Sequence, residues 1–267
     1  MDINLAKVTV VKMGGATLGS HDTTIDDLVD LQQRGRKLVV VHGGGKMVTK
    51  WCSRQGVPTM FAHGERVTDE ATLEMVTAVL CGLINKEFVA AINNRRGRAV
   101  GISGADGSLI QGRITGKEMG FTGTVEKVDV ALLIALLHSG YIPVIAPVSL
   151  YSFGKPKKAP ELLNINGDLV AGEIAAAICA DRIIFLTDVD GIHDYSGELI
   201  CNLSPDEAEE LVASGVVSGG MIPKIKACLC ALSDNLSACT IVNGKQPHAL
   251  LQEMEKGGGG TTIGLLR

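Results

Sequence analysis

The chain has 267 residues, 46% of them hydrophobic and only 3% aromatic, so its core must be built from Val, Ile, Leu and Ala. That mix suits buried parallel strands covered by helices, in one large α/β domain or two lobes. A formal net charge of −4 with no basic block argues against nucleic-acid or anionic-membrane binding as the main task.

Apolar runs alternate with helical patterns along the chain. Strand-like runs fall at 8–11, 38–41, 99–102, 142–146, 183–186 and 240–242. Helical patterns fall at 24–34, 46–55, 69–94, 129–139, 168–179, 205–214 and 223–232. This alternation predicts βαβ units and an open, mainly parallel sheet, an α/β fold. Ser204-Pro205-Asp206-Glu207 reads as a serine cap with proline at the first helical position. Gly35, Gly56, Gly97, Gly140 and Gly215 stand where helices end in a left-handed residue. The segment 112–127 alternates polar and apolar residues and reads as a hairpin outside the main sheet. The basic stretch Lys155-Pro156-Lys157-Lys158 reads as a loop between a strand and a helix, and 257–260 as a turn before a last short strand.

Seven cysteines (Cys52, Cys81, Cys179, Cys201, Cys228, Cys230, Cys239) give an odd count with no Cys-x-x-Cys pair. They read mostly as small buried hydrophobes in a reducing cytosol. Lys12 and the glycines after it interrupt the apolar run near the N-terminus, so no signal peptide is expected. No run of about 18 apolar residues suggests a membrane span. A cytoplasmic protein is the expectation.

Chemistry concentrates at glycine-rich turns. Val39-Val40-Val41-His42-Gly43-Gly44-Gly45 ends an apolar β-branched run in three glycines before a helix, a backbone nest suited to an anion. Val10-Val11-Lys12-Met13-Gly14-Gly15 is a second such turn, with a lysine at the strand end. Ser218-Gly219-Gly220-Met221-Ile222-Pro223-Lys224 is a third. A lysine in the first turn of a helix opposes the helix dipole unless an anion is near, which points to a phosphate between Gly220 and Lys224. None of these turns fits G-x-x-x-x-G-K-[ST] or G-x-G-x-x-G, and the His-Arg-Asp and Asp-Phe-Gly motifs of protein kinases are absent.

Three further motifs each admit two readings. Arg66, in Gly64-Glu65-Arg66-Val67-Thr68, is either a surface arginine paired with Glu65 or a bidentate holder of a carboxylate. Asn164-Ile165-Asn166-Gly167-Asp168 is either a helix cap or a substrate contact followed by an aspartate that orients lysines. Thr187-Asp188-Val189-Asp190-Gly191 is either a plain turn or a ligand loop beyond a strand end. His42 reads as structural, and no histidine cluster suggests a metal.

Taken in order, these motifs resemble the amino acid kinase family, most nearly its members that phosphorylate N-acetyl-L-glutamate. The resemblance implies an open, mostly parallel sheet between helices, a three-layer αβα fold. It implies an N-terminal lobe over residues 1–180 for the acceptor and dimerisation, and a C-terminal lobe over 181–267 for the nucleotide. By the same resemblance Lys12 and Lys224 stabilise the transferring phosphoryl group and Asp168 positions both. Gly44 and Gly45 face acceptor and phosphate oxygens, and Arg66 with Asn164 holds the acceptor. Gly14, Gly15, Thr187, Asp188, Gly191, Gly219, Gly220, Met221 and Lys224 contact the nucleotide. ATP with Mg²⁺ carried on its phosphates is implied, with no metal ligand from the protein. A homodimer is implied as well. About seven residues precede Val8, which leaves no room for the N-terminal helix of arginine-regulated relatives, so no arginine feedback is expected. The runner-up activity is phosphorylation of an aminoadipyl or glutamyl group attached to a carrier protein.

Overall fold

The computed structural model describes residues 8–14, 23–62, 64–217, 219–232, 236 and 238–264. Gly15 and Ser218 lie outside the described residues. The strands are β1 (Val8–Met13), β2 (Lys37–His42), β3 (Met60–Ala62), β4 (Glu65–Val67), β5 (Ala99–Ser103), β6 (Ile110–Ile114), β7 (Thr122–Val128), β8 (Ile142–Ala146), β9 (Val148–Tyr151), β10 (Leu162–Ile165), β11 (Arg182–Thr187), β12 (Asn202–Leu203), β13 (Ala238–Asn243) and β14 (Gly260–Ile263). The helices are α1 (Thr24–Gln33), α2 (Gly45–Arg54), α3 (Glu70–Thr77), α4 (Asn85–Asn94), α5 (Ala131–His138), α6 (Gly167–Ala177), α7 (Pro205–Ala213), α8 (Met221–Leu232) and α9 (Ala249–Glu255).

Eight strands form the main sheet in the order β12-β14-β13-β11-β1-β2-β8-β5. All its pairings are parallel except β13 with β14. Side chains alternate between the two faces, and the core divides accordingly. Val8, Val10, Val39, Val41, Ile183 and Phe185 pack with α5, α6 and α8 on one face. Val11, Met13, Leu38, Val40, Ile184 and Leu186 pack with α1, the long helix from α3 to α4, and α9 on the other. The layering expected from the sequence is present.

Several local expectations are corrected. The 112–127 hairpin exists as β6 and β7, but it closes with β9 and β10 into a small barrel. The basic loop at Lys155 therefore joins two strands, not a strand and a helix. Gly97 is not left-handed; Arg96 is, at φ 64°. Gly97 instead avoids a collision, since a Cβ there would lie 2.8 Å from Val29 Cγ2. Cys228 on α8 and Cys239 on β13 form a disulfide, their Cα atoms 5.5 Å apart. Helix packing brings together two cysteines that are 11 residues apart in the chain. Of the five free cysteines only Cys52 is fully buried, and Cys179 and Cys201 are exposed.

The helix from Glu70 to Asn94 is continuous over 25 residues and apolar enough, by length and composition, to cross a membrane, against the expectation of no such segment. Here Val76, Leu80, Ile84, Phe88 and Ile92 bury one side of it in the core. Its middle, Ala78–Ile84, is a π-helix, wider by one residue per turn.

Candidate active site

The site forms where parallel strands end and helices begin. β1 places Val8, Val10 and Lys12 on the face covered by α6, so Lys12 reaches the first turn of that helix. Lys12 Nζ lies 2.6 Å from Asp168 Oδ1. Lys224, in the first turn of α8, donates to Asp168 Oδ2 at 3.1 Å and to Gly220 O at 3.0 Å. Asp168 thus bridges both lysines.

This bridge exists because α6 and α8 approach closely. A Cβ on Gly172 would lie 2.6 Å from Ala227 O and 2.9 Å from Ala227 Cα. Gly172 is one turn after Asp168, and Ala227 is about one turn after Lys224. Backbone contact at the first pair therefore brings the second pair together. Asp168 also relieves the unfavourable position of Lys224 at a helix start, which the sequence alone had pointed to a phosphate to explain.

Burial alone would push the Asp168 carboxyl up; the two ammonium groups outweigh it and hold the carboxyl below the usual carboxylate range. Two lysines and one aspartate leave a local charge of about +1 in a protein of net charge −4. The helix starts of α6 and α8 add to that positive field.

Gly43, Gly44 and Gly45 lead into α2 and line one cleft with Gly167, the residue before Asp168. No side chain caps this helix start, so its first N–H groups remain for a ligand. Arg66 on β4, 7% exposed, lies directly against this turn. Its Nη2 donates to Gly45 O at 2.9 Å and to Thr49 Oγ1 at 2.8 Å. Its guanidinium stacks over the Phe61 ring at 4.9 Å. Nη1 is buried with no protein partner. A buried donor without a partner is costly, and a carboxylate would satisfy it. Arg66 is therefore not a surface arginine.

Asn164 donates to Thr68 Oγ1 at 3.0 Å, while the Thr68 and Thr122 hydroxyls both donate to Arg66 O. Asn166 caps α6 by accepting from Asp168 N at 2.8 Å, so the cap reading holds at Asn166 while Asp168 engages the two lysines. Val48, Val76, Leu80 and Phe61 give the same cleft an apolar wall. Thr49, Phe61, Thr68 and Thr122 were not legible as site residues. Of these only Thr49 carried a signal, being four residues after Gly45 on one helix face.

Gly14, Thr187 and Asp188 sit at the ends of β1 and β11, and Gly219, Gly220 and Met221 at the start of α8. The Thr187 hydroxyl closes its own turn with Val189. Gly191 is buried, and a Cβ there would lie 2.6 Å from Thr261 Oγ1, so it shapes this loop instead of lining it. No group of three His, Cys, Asp or Glu converges as a metal-ligand set among the described residues.

The model of the amino acid kinase family matches residues 7–243. This chain belongs to the amino acid kinase family. It is 47% identical over 256 residues to an acetylglutamate kinase of Dehalococcoides mccartyi strain CBDB1, covering 96% of this chain and 94% of that one. It is 43% identical over 259 residues to the acetylglutamate kinase of Cereibacter sphaeroides strain ATCC 17029, covering 96% and 87%. Among solved structures, N-acetylglutamate synthase from Neisseria gonorrhoeae in complex with coenzyme A and N-acetyl-glutamate superposes with a TM-score of 0.83. That likeness is at 26% identity over 98% of this chain and 60% of that one.

Proposed function

We propose that the protein is an acetylglutamate kinase, transferring the γ-phosphoryl group of ATP to the γ-carboxylate of N-acetyl-L-glutamate, a step of arginine biosynthesis. The observation that carries this reading is the Lys12–Asp168–Lys224 bridge, which adjoins, at Gly167, the cleft lined by the uncapped Gly44–Gly45 turn and by Arg66 with its unpaired Nη1.

The acceptor is a carboxylate with a pKa near ~4.3, already deprotonated at neutral pH, so no general base is required. The barrier is repulsion between an anionic nucleophile and the anionic nucleotide. Positioning and electrostatic stabilisation lower it. Lys12 and Lys224 meet the charge of the moving phosphoryl group from two sides, and Asp168 holds both without neutralising the pair. Backbone N–H groups of Gly44 and Gly45 donate to acceptor and phosphate oxygens. Arg66, with Asn164, takes the acceptor α-carboxylate. The apolar wall of Val48, Val76 and Leu80 accepts the acetyl methyl.

ATP lies against Gly14, Thr187, Asp188, Gly219, Gly220 and Met221, with Gly191 holding the loop shape. Mg²⁺ carried by the nucleotide would neutralise phosphate charge, and Asp168, committed to two lysines, would not serve as its ligand. Residues 1–180 serve the acceptor and 181–267 the nucleotide, in a cytoplasmic homodimer. The carrier-linked alternative is not favoured, since the relatives at 41–47% identity are named acetylglutamate kinases.

Replacing Arg66 by Ala tests the acceptor assignment. The KM for N-acetylglutamate rises by about 10-fold or more, as expected for a lost charge-assisted contact, while the KM for ATP stays within about 3-fold. An unchanged acceptor KM removes Arg66 from this role.

A further inference from the structure

His42 is a buried titratable side chain beside the glycine turn that the proposed mechanism does not use. It is completely buried. Alternation along β2 turns it away from Lys12 and towards the long helix, where its ring lies 5.4 Å from that of Phe88. Its two nitrogens have different partners. Nδ1 is 2.9 Å from Gly43 O, and Nε2 is 3.2 Å from Asn85 Nδ2.

The orientation of Asn85 follows from its other contacts. Its Oδ1 accepts from Lys86 Nζ at 3.0 Å, and its Nδ2 donates to Val144 O at 2.9 Å and also lies 3.3 Å from Ile102 O. The Gly43 carbonyl can only accept, so Nδ1 must carry a proton, and the donor-only NH₂ beside Nε2 disfavours a second proton there. The imidazole proton then sits on Nδ1 and is donated to the Gly43 carbonyl. Burial, with Lys12 and Lys86 nearby, lowers the imidazole pKa to about 4, so the ring is neutral at neutral pH.

The Gly43 carbonyl belongs to the same planar, trans peptide as the Gly44 N–H. Fixing the oxygen towards the imidazole fixes that N–H on the opposite side, away from the core. The π-helical turn supplies the rest of the support. Leu80 and Ile84 from it pack where a Cβ of Gly44 would be, and Asn85 follows it directly. A side chain at Gly44 would have to displace the buried ends of Leu80 and Ile84.

We propose that His42, set by Asn85, is a positioning residue that clamps the Gly43–Gly44 peptide so that the Gly44 N–H is aimed at an anionic oxygen in the cleft. The assignment rests on the kinase reading for which oxygen that is. The geometry of the clamp does not depend on it.

Two substitutions separate the clamp from mere core filling. His42→Asn keeps a donor near the position of Nδ1 and loses the partner of Asn85. His42→Gln keeps a polar atom near Nε2 and loses the donor to Gly43. With N-acetylglutamate and ATP, the clamp predicts that His42→Gln lowers kcat by about 10-fold or more with acceptor KM within about 3-fold. His42→Asn recovers most of that loss. Equal loss in both, or a better His42→Gln, overturns it. If neither variant folds, ¹⁵N-histidine NMR of the wild-type protein decides: a protonated Nδ1 with bare Nε2 supports the clamp, and the opposite tautomer overturns it. A wild-type protein that turns over no acetylglutamate contradicts the proposed function, and the tautomer measurement then judges the clamp by itself.

Discussion

Lys12, Asp168 and Lys224 are far apart in the chain, and each could be read from its local motif. The sequence put Lys12 at a strand end and Lys224 in a first helical turn, and both placements hold. Their meeting on one carboxylate was one of two readings of the local motif and was implied by the family resemblance; what the residues alone could not decide is which sheet face each strand residue takes and how two helices cross. Arg66 was equally ambiguous; only its burial and its unpaired Nη1 decide between surface and site. Lys12→Ala lowers kcat at least about 100-fold, since it removes a cation that acts on the transition state, and raises either KM by no more than a few-fold. Steady-state kinetics with both substrates varied check this, and an unchanged kcat removes Lys12 from catalysis.

Among the elements, the long apolar runs were legible because β-branched alternation with helices is a strong pattern. The strands of the small barrel were not. β9 and β10 are four residues each, and their register is set by partners distant in sequence. The π-helix had no signal at all, since Ala78–Ile84 reads as ordinary helix. Gly172 was likewise invisible, because its role is to admit the backbone of α8. Gly172→Val therefore costs about 1–3 kcal/mol of stability through overpacking against atoms that cannot move aside. It also parts Lys224 from Asp168, so kcat falls by about 10-fold or more in the folded fraction. Thermal melting and kinetics on the same preparation check both. A variant with wild-type kcat would show that the helix contact does not set the bridge.

Over the whole molecule, one continuous sheet carries the site, with β1 and β11 paired across the division expected near residue 180. The net charge of −4 gives no hint of a locally positive cleft, because charge in a site is arranged by the fold and not by composition. The run from Met75 to Asn85 contains no charged residue, yet Ala78 and Gly82 within it are exposed. The homodimer we propose would seat this uncharged strip against its copy. Sedimentation at micromolar protein is expected to give about twice the chain mass of 28.0 kDa, and replacing Ala78 and Gly82 by Glu is expected to yield monomer. A monomer in the unsubstituted protein contradicts the proposal.

The central claim is phosphorylation of a free N-acetylated γ-carboxylate. It is tested by trapping the acyl phosphate with hydroxylamine while following ADP release, with N-acetyl-L-glutamate set against glutamate, aspartate and a carrier-linked glutamyl group. The account predicts stoichiometric hydroxamate and ADP with N-acetyl-L-glutamate, at least about 100-fold above the others in kcat/KM. Turnover with the carrier-linked group alone, or ATP binding without acceptor-dependent ADP release, would contradict it.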